Sequence, residues 1–235
     1  MMPMDLKRDN PLASIYRRLY QSLGPQGWWP GETPDEVLVG CVLAQNTRWS
    51  RVVPVINRLG ERGLLSPSAF TQLQEEELAL LLRGSGTYRQ KACYLQNLGE
   101  YMLSRGWNGS VDSLAGLESD TLRKELLELK GIGPETADCV LLYVLDRPVF
   151  VIDAYTRRIL SRHRLCDPKA DYNELQRGFH ASLPKDACIY GEYHGLLVAT
   201  AKRWCRPRPR CAECPLADRE LPGDIPPPAE GCRSG

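Results

Sequence analysis

The chain has 235 residues, 43% of them hydrophobic, and a formal net charge of +1. That composition suits one large domain or two lobes sharing a boundary, and excludes disorder except at the ends. Residues 1–11 carry Asp5, Lys7, Arg8 and Asp9 and no continuous apolar segment, so neither a secretory leader nor a membrane span is expected, and a cytoplasmic protein is the simplest reading.

Helical stretches divided by Gly, Pro and Ser signals, with no sustained period-two alternation, predict an all-α fold. Trp28-Trp29-Pro30 precedes the clearest helix start, Thr33-Pro34-Asp35-Glu36. There Thr33 can cap, Pro34 suits the first helical position and Glu36 completes a capping box ahead of Val37, Leu38, Cys41 and Val42. Gln45-Asn46-Thr47 and Trp49 follow that helix. Ser66-Pro67 and residues 119–121 open others, and Leu122, Leu126 and Leu129 form an apolar stripe leading into Gly131-Ile132-Gly133. Pro134 then opens a helix over 134–145, ended by Arg147-Pro148. Three more are predicted over 153–165, 171–182 and 189–204, before an extended tail over 217–235 containing the Pro-rich segment 221–228.

The pair of glycines around Ile132 reads as a tight turn between two helices. Backbone N–H groups at Gly131, Ile132 and Gly133, with the start of the next helix, can grip phosphate without reading base sequence; a plain αα-turn with glycine caps is the alternative. Asp153 is a lone carboxylate between a buried run and Arg157, Arg158, Arg162 and Arg164, placed either to cap a helix or to stabilise positive charge on a substrate. A second basic cluster spans Lys202, Arg203, Arg206, Arg208 and Arg210, and local clusters of this kind matter more for phosphate binding than the total charge. Of nine cysteines, Cys41, Cys93 and Cys139 lie in apolar helical patterns, as small buried hydrophobes do.

The run Leu129-Lys130-Gly131-Ile132-Gly133-Pro134-Glu135-Thr136-Ala137, followed by Val151-Ile152-Asp153, resembles the helix-hairpin-helix and aspartate signature of the endonuclease III superfamily of DNA glycosylases, and the resemblance extends from about residue 12 to 216. It implies two helical lobes forming a cleft: a central lobe over 29–137 including the hairpin, and a second built from 1–28 and 138–216 with a C-terminal cysteine loop. The hairpin and Asp153 would both line that cleft. It also implies a monomer acting on double-stranded DNA that contains a damaged base, nucleoid-associated if bacterial.

Asp153 is then the catalytic acid, Gln45 the wedge that enters the duplex, Asn46, Arg157 and Arg158 further DNA contacts, and Trp28, Trp29, Trp49 and Glu135 the base pocket. Members that also cut the strand carry a lysine where Glu135 stands, and glutamate cannot form the required imine, so base release without strand cleavage is expected. The tryptophans resemble the 3-methyladenine DNA glycosylase III branch. Electron-rich rings suit a cationic alkylated purine, while mismatched uracil or thymine, oxidised pyrimidines and a non-enzymatic DNA-binding module stay as alternatives.

Trp204-Cys205 and Cys211-Ala212-Glu213-Cys214-Pro215-Leu216 resemble the [4Fe–4S] loop of the superfamily. The family spacing is Cys-x6-Cys-x2-Cys-x5-Cys. This chain has five residues in the first gap and Glu220 where the fourth thiol belongs, with Cys232 the only later cysteine. A cluster closed by Cys232, a remnant loop without a cluster, and zinc are the three readings.

Overall fold

A computed structural model describes residues 10–217, which form helices, turns and irregular backbone with no strand. Only residue 217 of the expected tail is included, and Cys232 lies outside the described residues. The chain divides into two compact units. One runs Pro30–Arg147; the other joins the residues through Trp29 to those from Pro148. None of the helices is long and apolar enough to cross a membrane, among the described residues.

The first helix, α1 (Pro11–Leu23), starts where Asn10 accepts a hydrogen bond from the Leu12 N–H and Pro11 presets the backbone; it ends at Gly24, φ +68°. The unit Pro30–Arg147 opens with α2 (Pro34–Leu43), where Thr33 Oγ1 accepts from the Glu36 N–H at 3.2 Å. The reciprocal half of the expected capping box lands one residue early, because Glu36 Oε2 accepts from the N–H of Glu32 instead of Thr33. Every residue from Val37 to Leu43 is buried, which makes α2 the central helix of this unit. It is followed by α3 (Trp49–Gly60), α4 (Pro67–Phe70), α5 (Glu75–Leu81), α6 (Tyr88–Ser104) and α7 (Ser119–Glu128). Helices α3 and α6 pack on α2, while α4 and α5 pack on α6. Gly99 lets α6 approach Phe70, whose ring would stand 2.4 Å from any Cβ there.

The helix expected over 134–145 is α8 (Pro134–Cys139) passing into a π-helical turn over Val140–Val144, closed by the Leu145 N–H on the Val140 carbonyl. That turn packs on α2, so residues 138–147 group with the hairpin. Arg147 Nη2 seals the end, donating to the carbonyls of Leu114, Ala115 and Leu117 at 3.0–3.2 Å.

In the other unit, α9 (Ala154–Arg162), α10 (Tyr172–Ser182) and α11 (Ala187–Arg203) follow. Helix α9 stops short of 165 because Arg164 turns left-handed at φ +58°, and α11 begins before 189 because Asp186 accepts from the Ile189 N–H. Both α1 and α9 pack on α11. Phe150 stacks on Phe179 at 3.8 Å, with Tyr190 and Tyr193 edge-on, and Tyr193 Oη donates to the Leu12 carbonyl at 2.8 Å. Such rings each withdraw roughly 150–250 Å² from water, enough to fix the N-terminal helix against the C-terminal ones.

Candidate active site

The hairpin joins α7 to α8. Gly131 has φ +89°, and a Cβ there would lie 2.2 Å from the Tyr94 ring, so conformation and space both require glycine. Gly133 caps α8 with nothing within 4 Å of its Cβ direction, leaving its backbone open to an approaching group. Ile132 departs from the expectation. Its N–H closes the turn on the Leu129 carbonyl at 3.1 Å and its side chain is buried, so it anchors the turn and offers no phosphate donor. Across the hairpin, Arg123 Nε and Nη2 grip the two oxygens of buried Asp138 at 2.7 and 3.1 Å, a bidentate pair that ties α7 to α8. Glu135 is exposed in the first turn of α8.

Gln45 is half-buried, and its Nε2 donates to the Gly131 carbonyl and to Thr136 Oγ1, each at 3.0 Å. The side chain expected to enter the duplex therefore braces the hairpin, and the exposed neighbour Asn46, at φ +51°, stands at the loop tip. Beneath it lies Lys91, which the sequence reading missed. Its buried ammonium donates to the Leu43 carbonyl, Thr47 Oγ1 and the Ser85 carbonyl at 2.6–2.7 Å, and burial lowers its pKa to about 8.

Asp153 lies in the unit completed by α9–α11. It is the N-cap of α9: Oδ1 accepts from the Thr156 N–H at 2.6 Å, and Oδ2 faces His194 Nε2 at 3.5 Å. Burial pushes its carboxyl up, but His194 and the bonds from Thr156 outweigh that and hold it below the usual carboxylate range. Capping and charge stabilisation thus share one side chain. Helix α11 also sets the loop carrying Trp28. Glu192 accepts from the N–H groups of Gln26 and Gly27, and Gly195 receives Trp28, whose Cβ would lie 2.6 Å from an added methyl. Trp28 meets Trp29 and His194 edge-on, and the Lys202 ammonium lies 5.4 Å from the centre of its ring. Trp49 begins α3 in the other unit.

A family model described as HhH-GPD superfamily base excision DNA repair protein matches residues 39–185. The chain belongs to the HhH-GPD superfamily. It is 42% identical to a provisionally named DNA repair glycosylase of Methanocaldococcus jannaschii over 88% of this chain and 94% of that one. It is 30% identical to endonuclease III of Thermotoga maritima over 77% and 79% of the two chains. Among solved structures, H. pylori 3-methyladenine DNA glycosylase bound to 1,N6-ethenoadenine superimposes with a TM-score of 0.69 at 27% identity, covering 82% of this chain and 97% of that one. The protein is accordingly a DNA N-glycosylase of base excision repair, with DNA as its partner.

In this HhH-GPD chain three of the arginines after the acid, including both of those expected to meet DNA, make hydrogen bonds within the fold. Arg157 Nη1 donates to the Ala170 carbonyl and Arg158 Nε to the Cys205 carbonyl at 2.7 Å. Arg162 reaches Cys205 Sγ at 3.3 Å and the carbonyls of Arg206 and Pro207. Arg158 and Arg162 fasten the cysteine loop to α9. Cys205, Cys211 and Cys214 line a cavity of about 100 Å³ with Arg162, His163 and Trp204, and burial pushes the Cys214 thiol up. The three thiols share one cavity, yet no three His, Cys, Asp or Glu side chains stand at metal-ligating spacing among the described residues.

Proposed function

We propose that this glycosylase is monofunctional and releases alkylated purines from double-stranded DNA. The observation that carries the reading is Glu135 in the first turn of α8, where strand-cutting relatives need an amine, combined with an ionised Asp153. As the C1′–N9 bond breaks, its electron pair goes to the base and positive charge builds on the sugar. The Asp153 carboxylate stabilises that charge. Water then adds to C1′ and loses a proton, to the departed base where that base leaves as an anion and to solvent where a cationic base leaves neutral, so no covalent enzyme intermediate is needed. The Trp28–Trp29 pair supports an aromatic purine pocket, as does the likeness to the H. pylori enzyme. Asn46 takes the wedge role, since Gln45 is bonded to the hairpin. One chain carries both hairpin and acid, so a monomer suffices.

The test is incubation with duplexes bearing 1,N6-ethenoadenine, 3-methyladenine, uracil opposite guanine, or thymine glycol. Purine release with strand breaks only after alkali is expected. Breaks without alkali, or a borohydride-trapped adduct, would refute monofunctionality; release of the pyrimidines alone would move the substrate class, and no release at all would favour a DNA-binding module.

Cys205, Cys211 and Cys214 are the candidate [4Fe–4S] ligands, with the fourth position assigned to Cys232 outside the described residues. Such a cluster would hold the loop and carries no step of the hydrolysis. Iron and acid-labile sulfide near four per chain would support it, whereas metal-free, colourless protein would leave a loop secured by arginines.

A further inference from the structure

Lys202 stands on the last turn of α11, in the same unit as Asp153, Trp28 and His194. The residue is exposed, yet its ammonium is held over the Trp28 ring at 5.4 Å. Among the described residues the ammonium has no hydrogen-bond or ion-pair partner that would account for this placement. Partial desolvation against the Trp28 ring lowers its pKa, and the nearby Asp153 carboxylate opposes the shift, so the ammonium also feels the catalytic acid. A lysine on the rim of a folded helix ordinarily extends into water. This one sits where a base stacked against Trp28 would meet it.

A fixed positive charge at that place acts differently on two kinds of damaged purine. A neutral adduct departs with the C1′–N9 electron pair and gains negative charge on the way to the transition state. A purine alkylated at N7 or N3 begins as a cation and becomes neutral. The ammonium therefore stabilises the transition state of the first and repels the second from the moment it stacks. The cation–π attraction that an electron-rich indole offers a cationic base is also weakened, because the ring already interacts with a protein cation.

We propose that Lys202 is a specificity residue that selects neutral purine adducts, such as cyclic etheno-purines, over cationic ones. This rests on the base-release reading above and narrows its substrate class. The experiment compares wild type, Lys202→Met and Lys202→Arg on matched duplexes containing 1,N6-ethenoadenine, which is neutral, or 7-methylguanine, which is cationic.

In wild type, kcat/KM favours ethenoadenine. Lys202→Met shifts the ratio toward the cationic base by about tenfold, the effect of one charge near a protein surface, chiefly through a lower kcat on ethenoadenine. Lys202→Arg keeps the wild-type ratio. A ratio unchanged in Lys202→Met overturns the assignment, as does an equal loss on both lesions, which would make Lys202 a phosphate contact. Those results leave base release standing. Absence of release by wild type from both duplexes overturns that reading and this one together.

Discussion

His194 Nε2 faces Asp153 Oδ2 at 3.5 Å, while the Thr156 N–H holds the other oxygen of the same carboxylate at 2.6 Å. The two contacts keep a buried acid ionised against the pull of its surroundings. Asp153→Asn is expected to lower single-turnover base release by roughly 10²–10³-fold, the scale of losing one preorganised electrostatic group. Asparagine also caps helices well, so thermal stability should change by less than about 1 kcal/mol and abasic-site DNA should still bind. Full release by this variant would remove Asp153 from the chemistry.

His194 sets the acid side of the pH profile. Because the Asp153 pKa is depressed, its carboxylate persists below the ordinary carboxylate range and activity is lost only as pH falls through that lowered value. Removing the ring leaves burial as the larger influence. His194→Ala should therefore shift the acidic limb of kcat upward, toward neutral pH. An acidic limb in the same place in both proteins would mean that the ring only packs.

The two hairpin glycines should respond differently. Gly131→Ala forces a side chain into φ +89° and into the Tyr94 ring, and should destabilise by about 2–4 kcal/mol in urea unfolding. Gly133→Ala meets open space at φ −92° and should leave stability within about 1 kcal/mol. Its methyl instead stands on the face offered to phosphate, so DNA affinity should fall without loss of fold.

Lys91 makes stability depend on alkaline pH. Its folded pKa, about 8, lies below the 10.5 of an ordinary lysine, so between those values the unfolded chain holds a proton that the native state lacks. Stability should rise as pH increases across that window. The raised pKa of Tyr190, pushed to about 12 by burial, acts in the opposite direction only above the usual tyrosine range of about 10. Subtracting urea unfolding data for Lys91→Met isolates the lysine; a difference flat from pH 7.5 to 9.5 would contradict the assignment. At neutral pH the same substitution strips the Leu43 and Ser85 carbonyls of their donor, at a cost of about 1–3 kcal/mol.

Gly195→Ala should displace Trp28 without touching Asp153. The added methyl would overlap Trp28 Cβ, so tryptophan fluorescence and KM should change more than kcat. An unaltered emission spectrum would show that the loop has room to yield.

The all-helical fold, the hairpin and the capping role of Asp153 were legible because each depends on local chemistry: proline at a first helical position, a glycine that must turn left-handed, and an acid before a helix. What escaped depends on packing. Arg158 and Arg162 lie one helical turn apart and look like a phosphate-binding face, but a loop distant in sequence supplies their acceptors. Lys91 carried a faint signal, since it shares a helical stripe with buried Leu95, Leu98 and Met102, where a charge needs buried partners. Gln45 read as a free polar end because the hairpin that occupies its amide is far along the chain.

Helix α9 is capped by Asp153 and, through Arg158 and Arg162, grasps the carbonyls and sulfur of the cysteine loop farther along. Oxidation or alkylation that dislodges the loop is therefore expected to slow excision without any reagent reaching the sugar, because it would free the far end of the helix whose start carries the carboxylate. Chemical injury to the exposed Cys211 thiol would then register as an idle enzyme before it registers as an unfolded one.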